Sequence, residues 1–557
     1  MTAPFFSRRG VAVRIVAPLV DGAPCEGVTL AAGDGDPVTL LSTAPPGTTP
    51  MSVGVRLAVT GVRAYLRNGY QSWDGSYFVA PGTPAGDGPP AKAPTLGFAM
   101  TALLPTAGEG AVVIGFDRHD RFQTRFRFAG DADTLLIDVE TLLDGTGEIK
   151  GETLRLFDGD AVEPTLCRWS ARVAAAAPAP PRVPARRLTG WCSWYNLYAS
   201  ITPENLREHL RAAAAFRDTH RVPLEIFQID DGFTPEMGDW LDVKPQFPNG
   251  VAPLLAEAAA AGFTPGLWIA PFLVGNRSRL FAAHPDWVVQ DRQAGGPLVA
   301  FQFYGEFRWH KRSEEYHVLD VTHPDAAAYI AQVLTTWTRD WGARYIKADF
   351  LLHGAEYGPE RARWHRPGLS RIAVFRRMMT LIREAVGDEV IVSGCGCPLW
   401  AGVGLIDVAR IGRDVGVMWR GEYSAESLLR DLQTRNHAHG LLWQADPDCI
   451  LLRDRFHQMT DGEVELLARF AAGAGGTAMT SDHLGELPPG RARLFAELLR
   501  EPVTACDFPA LGERDGVVVQ RRRAGERVLG VDRFNPADSP AVDADGTVVP
   551  PHGMVRG

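Results

Sequence analysis

Nothing in the 557-residue sequence reads as a membrane span, because no run reaches the roughly 20 apolar residues that crossing a bilayer requires. The amino-terminal stretch MTAPFFSRRGVAVRIVAPLV places its arginines inside the apolar run, not ahead of it as a secretory leader would. Positive charge is short as well: 57 Lys+Arg stand against 66 Asp+Glu, a net charge of -9, and no long basic run occurs. This balance argues against nucleic acid or a membrane surface as partner and favours a small neutral substrate. Cysteine is sparse. The seven (Cys25, Cys167, Cys192, Cys395, Cys397, Cys449 and Cys506) are odd in number and lack metal-finger spacing, in a chain too long to need disulfide staples. The expectation is a soluble, cytoplasmic protein without metal or other cofactor, whose substrate must first be imported. A homo-oligomer stays open.

What is present has the rhythm of at least two architectures, and the length alone implies two or three domains. Up to about residue 180, short alternating runs dominate. In RFQTRFRF, Phe122, Thr124, Phe126 and Phe128 share one face, and Ile137, Val139, Thr141 and Leu143 alternate with Asp138 and Glu140. Such half-buried strands separated by Gly/Pro turns predict an antiparallel β-sandwich over 1–180. The segment AAAAPAPPRVPARR, Ala174 to Arg187, reads as a linker. Beyond it, strand-like runs alternate with helical patterns: LTGWCSW, LEIFQID, FTPGLWIA, HVLDVT, ARYIKADF, VIVSGC and VARIGRD give seven strands before residue 415. Either LLWQADPDCILL or GGTAMTSD would supply the eighth. The prediction is an α/β fold with a central (β/α)8 TIM barrel over 181–480 and a small C-terminal β domain over 481–557, which includes a hairpin in VVVQRRRAGERVLGVDRF.

Charges at strand ends carry the chemistry. Lys347 and Asp349 in YIKADF share parity and point toward the barrel's C-terminal mouth, where barrel enzymes place their sites. An internal ion pair that only fills space is the alternative. Arg410 and Asp414 in ARIGRD repeat the pattern, and two carboxylates at one mouth suit glycoside hydrolysis, although any barrel rim collects acids. Asp230 and Asp231 in QIDDGF can serve one pocket only if their strand ends there, as Gly232 would allow. They read as a pair gripping sugar hydroxyls, with a divalent cation site or a solvated turn as rivals. Trp194, Tyr195, Trp268 and Trp73 would stack on sugar faces, though each alone could be a core residue. Cys395 and Cys397 in SGCGCPLW lack the second pair that a metal site would need.

Taken together, GWCSWYN, QIDDGF, GLWIAPF, YIKADF, GCGCPL and ARIGRD resemble the glycoside hydrolase family 36 α-galactosidases (melibiases, clan D) in order and spacing. The resemblance implies an N-terminal β-supersandwich, a (β/α)8 barrel, a C-terminal β domain and a retaining exo-α-galactosidase. Asp349 would be the nucleophile and Asp414 the acid/base. Lys347 would keep Asp349 ionised, Asp230 and Asp231 would bind O4 and O6, and Arg410 and Cys395 would act near O2 and O3. Trp194, Tyr195, Trp268 and Trp73 would line the pocket. Many relatives carry proline where Arg413 stands. Galactosyl transfer in the manner of raffinose synthases, an α-N-acetylgalactosaminidase, and a non-catalytic sugar-binding protein are the alternatives.

Overall fold

The computed structural model describes residues 4–557 except 34, 87–91, 304–312, 422, 456 and 514–515. Its first part is two seven-stranded antiparallel sheets. Strand Gln123–Gly130 pairs with Leu135–Leu142, burying Phe126, Phe128, Ile137 and Val139 while Arg127 and Asp138 face outward, as the alternation requires. Helix Val162–Ala176 then leads toward the barrel. The Pro-rich segment behind it is no free tether. Arg182 pairs with Asp388 (2.8 Å) and Asp407 (3.0 Å), and Arg187 donates to the carbonyls of Ala472 and Gly476, each at 3.0 Å.

Eight parallel strands form the barrel, numbered here β1 (Thr189–Cys192), β2 (Ile226–Ile229), β3 (Thr264–Ile269), β4 (Tyr345–Ala348), β5 (Ile391–Gly394), β6 (Val408–Arg410), β7 (Gln444–Asp446) and β8 (Ala478–Thr480). β1 pairs with both β2 and β8, and the Thr477 N–H to Ala445 carbonyl bond (2.9 Å) draws the ends of β7 and β8 together. Several of the helices between the strands have capped starts: Thr202 and Asn205 form a reciprocal box at the head of Pro203–His220.

The strand count needs a correction. HVLDVT is not a barrel strand: Glu315–Val318 pairs antiparallel with Leu273–Gly275 and Val299–Gln302 in a three-stranded excursion after β3. A short buried apolar run looks the same in either setting, so periodicity could not separate them. Both candidates for the eighth strand are therefore used, as β7 and β8. Helix Pro489–Arg500 follows β8, and a four-stranded antiparallel sheet closes the chain, with Val518–Ala524 and Arg527–Asn535 as the expected hairpin. Among the described residues no helix is long and apolar enough to cross a membrane.

Candidate active site

At the end of β4 the backbone leaves the strand just where its charges sit. Phe350 takes a left-handed conformation (φ 54°) and its N–H donates to Asp349 Oδ1 at 2.8 Å. The other oxygen, Oδ2, accepts the indole N–H of Trp268 from β3 at 3.0 Å. Lys347 Nζ lies 2.9 Å from Asp230 Oδ2 and 3.9 Å from Asp349 Oδ2. The lysine is thus shared, and its nearer partner is Asp230, not Asp349 as the order of residues in YIKADF suggests. Burial alone would strip Lys347 of its proton, but Asp230 and Asp349 outweigh that and hold it firmly cationic. For Asp349 the balance runs the other way. Burial pushes its carboxyl above the usual range, against the pull of Lys347 and the Trp268 N–H, and Asp414 adds to the rise.

β2 ends at Ile229, so the adjacent acids leave the strict strand alternation. The Asp230 N–H donates to Ser193 Oγ (2.9 Å), and the Asp231 N–H donates to Asp230 Oδ1 (2.9 Å). Gln228 adds an amide donor to Asp230 Oδ2 at 2.7 Å. Gly232 makes this turn possible: its φ is 135°, and a Cβ there would stand 2.8 Å from the Ala199 Cα. Both carboxylates are buried.

Across the mouth, Arg410 is fully buried at the end of β6 and Asp414 follows it on a loop. Arg410 Nη2 reaches Asp414 Oδ1 at 3.1 Å and Asp448 Oδ2 at 2.9 Å, while Nη1 lies 3.7 Å from Cys395 Sγ. Burial, chiefly, and the nearby Asp349 carboxylate keep the Cys395 thiol neutral. No group of metal-ligating side chains occurs among the described residues.

Asp448 was not singled out from the sequence. Its Oδ2 also accepts the Val415 N–H (2.8 Å) and a very short bond from the Tyr195 hydroxyl. Burial pushes Asp448 up to about 6, with Asp414 and Asp446 adding to the rise and Arg410 opposing it. The signal was present in QADPD, an acid just past a strand end, but that run was weighed only as a strand.

The aromatics divide. Trp268 and Trp73 bracket Phe350 edge-on, with ring centroids 6.4 and 5.2 Å from it. Trp73 comes from a loop of the sandwich. Arg413 donates to its carbonyl at 3.0 Å, and Ser72 exchanges bonds with the backbone of Cys397 through its N–H (3.1 Å) and Oγ (3.0 Å). Tyr195 belongs to the Asp448 cluster, and Trp194 packs edge-on against Tyr198 at 5.3 Å. Trp191 faces away from the mouth, stacked on Phe227 at 4.6 Å.

Residues 193–396 match the Melibiase family model, a stretch that holds Asp230, Asp231, Lys347, Asp349 and Cys395 but stops short of Arg410 and Asp414. The α-galactosidase of Escherichia coli is 24% identical over 199 residues, covering 34% of this chain and 25% of that protein. AgaA, the α-galactosidase of Geobacillus stearothermophilus, is 26% identical over 205 residues, covering 36% of this chain and 25% of its own. The chain thus spans about a quarter of the length of these curated relatives. Among solved structures, TtGalA, an α-galactosidase from Thermus thermophilus bound to p-nitrophenyl α-D-galactopyranoside, superposes with a TM-score of 0.67 at 27% identity, over 90% of this chain and 98% of that one. The family 36 enzyme AgaA shares the fold at 14% identity, with a TM-score of 0.60 over 98% of this chain and 81% of its own.

Proposed function

We propose that this chain, which carries a melibiase-family barrel segment, is a retaining exo-glycosidase that releases terminal α-linked D-galactose. The observation that carries the reading is that Asp349 and Asp414 share one mouth, near enough for the charge of one to act on the other. One carboxylate is buried and oriented by Trp268 and the Phe350 N–H; the other lies on a loop beside Arg410, a third exposed. Asp349 attacks the anomeric carbon while Asp414 gives its proton to the departing glycosidic oxygen, forming a covalent glycosyl-enzyme. Asp414 then takes a proton from water, and the water oxygen displaces Asp349 with net retention.

The rise in the Asp349 carboxyl toward its neutral form belongs to the sugar-free site. Lys347 holds a charge that can serve either acid, and a sugar hydroxyl that takes over Asp230 as partner would free Lys347 to favour ionised Asp349. Asp230 and Asp231, both buried, would then grip O4 and O6 by charge-assisted hydrogen bonds. A carbohydrate substrate is supported by the sugars bound in the Thermus thermophilus structures, stachyose and the nitrophenyl galactoside. A reducing cytoplasm is supported by the cysteines, all seven of which are free thiols.

The test is a panel of p-nitrophenyl α-galactoside, α-glucoside and N-acetyl-α-galactosaminide, with the first-formed sugar anomer followed by proton NMR. Release of galactose as the α-anomer is expected. Release from the glucoside alone would overturn the role given to Asp230 and Asp231, and a β-anomer would overturn retention.

A further inference from the structure

Asp448 stands at the back of the acid/base loop, a buried carboxylate that the two-acid mechanism does not use. Its single oxygen Oδ2 collects three donors from three elements: Arg410 at the end of β6 (2.9 Å), the Val415 N–H next to Asp414 (2.8 Å), and the Tyr195 hydroxyl after β1. The backbone that presents it is unusual. Asp448 has φ 76°, a left-handed conformation that costs a non-glycine residue of order 1 kcal/mol or more. The turn is fixed by Asp446, whose Oδ1 accepts both the Asp448 N–H (2.9 Å) and the Thr477 hydroxyl (2.7 Å).

Arg410 therefore faces two carboxylates, and only one of them, Asp414, has to gain and lose a proton in each turnover. Were Asp414 its sole counter-charge, the guanidinium at 3.1 Å would favour the ionised form and disable proton donation. With Asp448 bound to the same Nη2 at 2.9 Å, that positive charge is already offset by a second carboxylate.

We propose that Asp448 is a positioning residue for the acid/base: it anchors the loop through the Val415 N–H and neutralises Arg410, so that Asp414 can carry a proton to the leaving group. This rests on Asp414 being the acid/base. The other charged or titratable groups facing Asp414 are Asp349 from β4, Cys395 from β5 and Tyr195 from the β1 side, besides Arg410 and Asp448; Lys347 and Asp446 act on Asp448 itself. Burial drives Tyr195 and Cys395 toward their neutral forms, which leaves Asp349 as the remaining negative neighbour.

The experiment compares a leaving group that needs little protonation with one that needs much. In the full-length chain, Asp448→Asn is assayed on p-nitrophenyl α-galactoside and on methyl α-galactoside across pH. Loss of the charge should move the alkaline limb of kcat/KM down by about one pH unit. On the methyl galactoside kcat/KM should fall about 100-fold, with a drop of only a few-fold on the nitrophenyl substrate. Equal losses on both substrates with an unmoved alkaline limb would overturn the proposal, since a merely structural residue behaves that way.

Tyr195→Phe removes one donor from Asp448 and keeps the ring, so the same split should appear in smaller measure. If Asp448→Asn does not fold, this variant decides alone, and an unsplit response overturns the proposal. Asp414→Asn tests the underlying reading separately. Full activity on methyl α-galactoside, or no acceleration by azide on the nitrophenyl substrate, would sink the acid/base assignment whatever Asp448 does.

Discussion

Lys347 is the residue on which the site's electrostatics turn, because it sits half-buried between two carboxylates and lies nearer to Asp230 than to Asp349. Removing one partner of a buried pair leaves uncompensated charge, at a cost of about 3–5 kcal/mol. Lys347→Met should therefore lower Tm sharply near neutral pH. The deficit should shrink as the pH falls, because Asp349, whose carboxyl burial already pushes up, takes a proton and removes charge left behind; melts at several pH values check it, and a constant deficit contradicts it. Asp448 offers a signed counterpart. Its folded value, raised from 3.8 to about 6, means that the native state binds this proton more tightly than the unfolded chain. Its contribution to stability is present in full below about 3.8 and lost as the pH rises through about 6. Asp448→Asn should thus gain Tm relative to the parent between those values, and a relative loss would show that Asp448 is ionised throughout.

At the scale of elements, strand ends were legible, and strand membership was legible for every barrel strand read from the sequence except HVLDVT. YIKADF and QIDDGF gave away their placement at strand ends because charges at a fixed parity, or beside a glycine, have few explanations in a buried strand. HVLDVT misled because short apolar strands look alike whether they lie in the barrel or beside it, and only long-range pairing separates them. The same limit hid Asp448, whose partners lie 38, 33 and 253 positions away in the chain. In GCGCPL the turn after β5 brings the backbone close to the sandwich loop. Gly396 has φ 54°, and a Cβ on it would stand 2.9 Å from the Trp73 ring. Gly396→Ala should cost about 1–2 kcal/mol in stability from the backbone alone. It should also push Trp73 outward, raising KM for galactosides more than it lowers kcat. An unchanged KM would show that Trp73 does not touch the sugar.

For the whole molecule, the question is why a barrel with its own strand-end acids keeps a sandwich beside it. One apolar core runs without a break from Leu66, Val113 and Trp169 through the barrel to Val518 and Phe534 of the final sheet. At the first junction Trp169 meets Trp400 edge-on at 4.7 Å, and Trp400 stacks on His437 at 5.9 Å. The junction also has a polar fastener. Arg435, fully buried at the end of helix Ala425–Arg435, donates to the carbonyls of Ile411 (2.6 Å), Ser72 (2.8 Å), Gln71 (3.2 Å) and Asp74, and to Ser76 Oγ (3.1 Å). It thereby ties the sandwich loop bearing Trp73 to the chain entering the Asp414 loop. A lysine carries its three donors on one nitrogen and cannot span these acceptors, so Arg435→Lys leaves buried carbonyls unpaired at about 1–3 kcal/mol each. The expected result is a lower Tm together with a KM for p-nitrophenyl α-galactoside raised about tenfold, because Trp73 loses its seat while Asp349 and Asp414 keep theirs. A destabilised variant with unaltered KM would mean that the sandwich supports the barrel without taking part in its site.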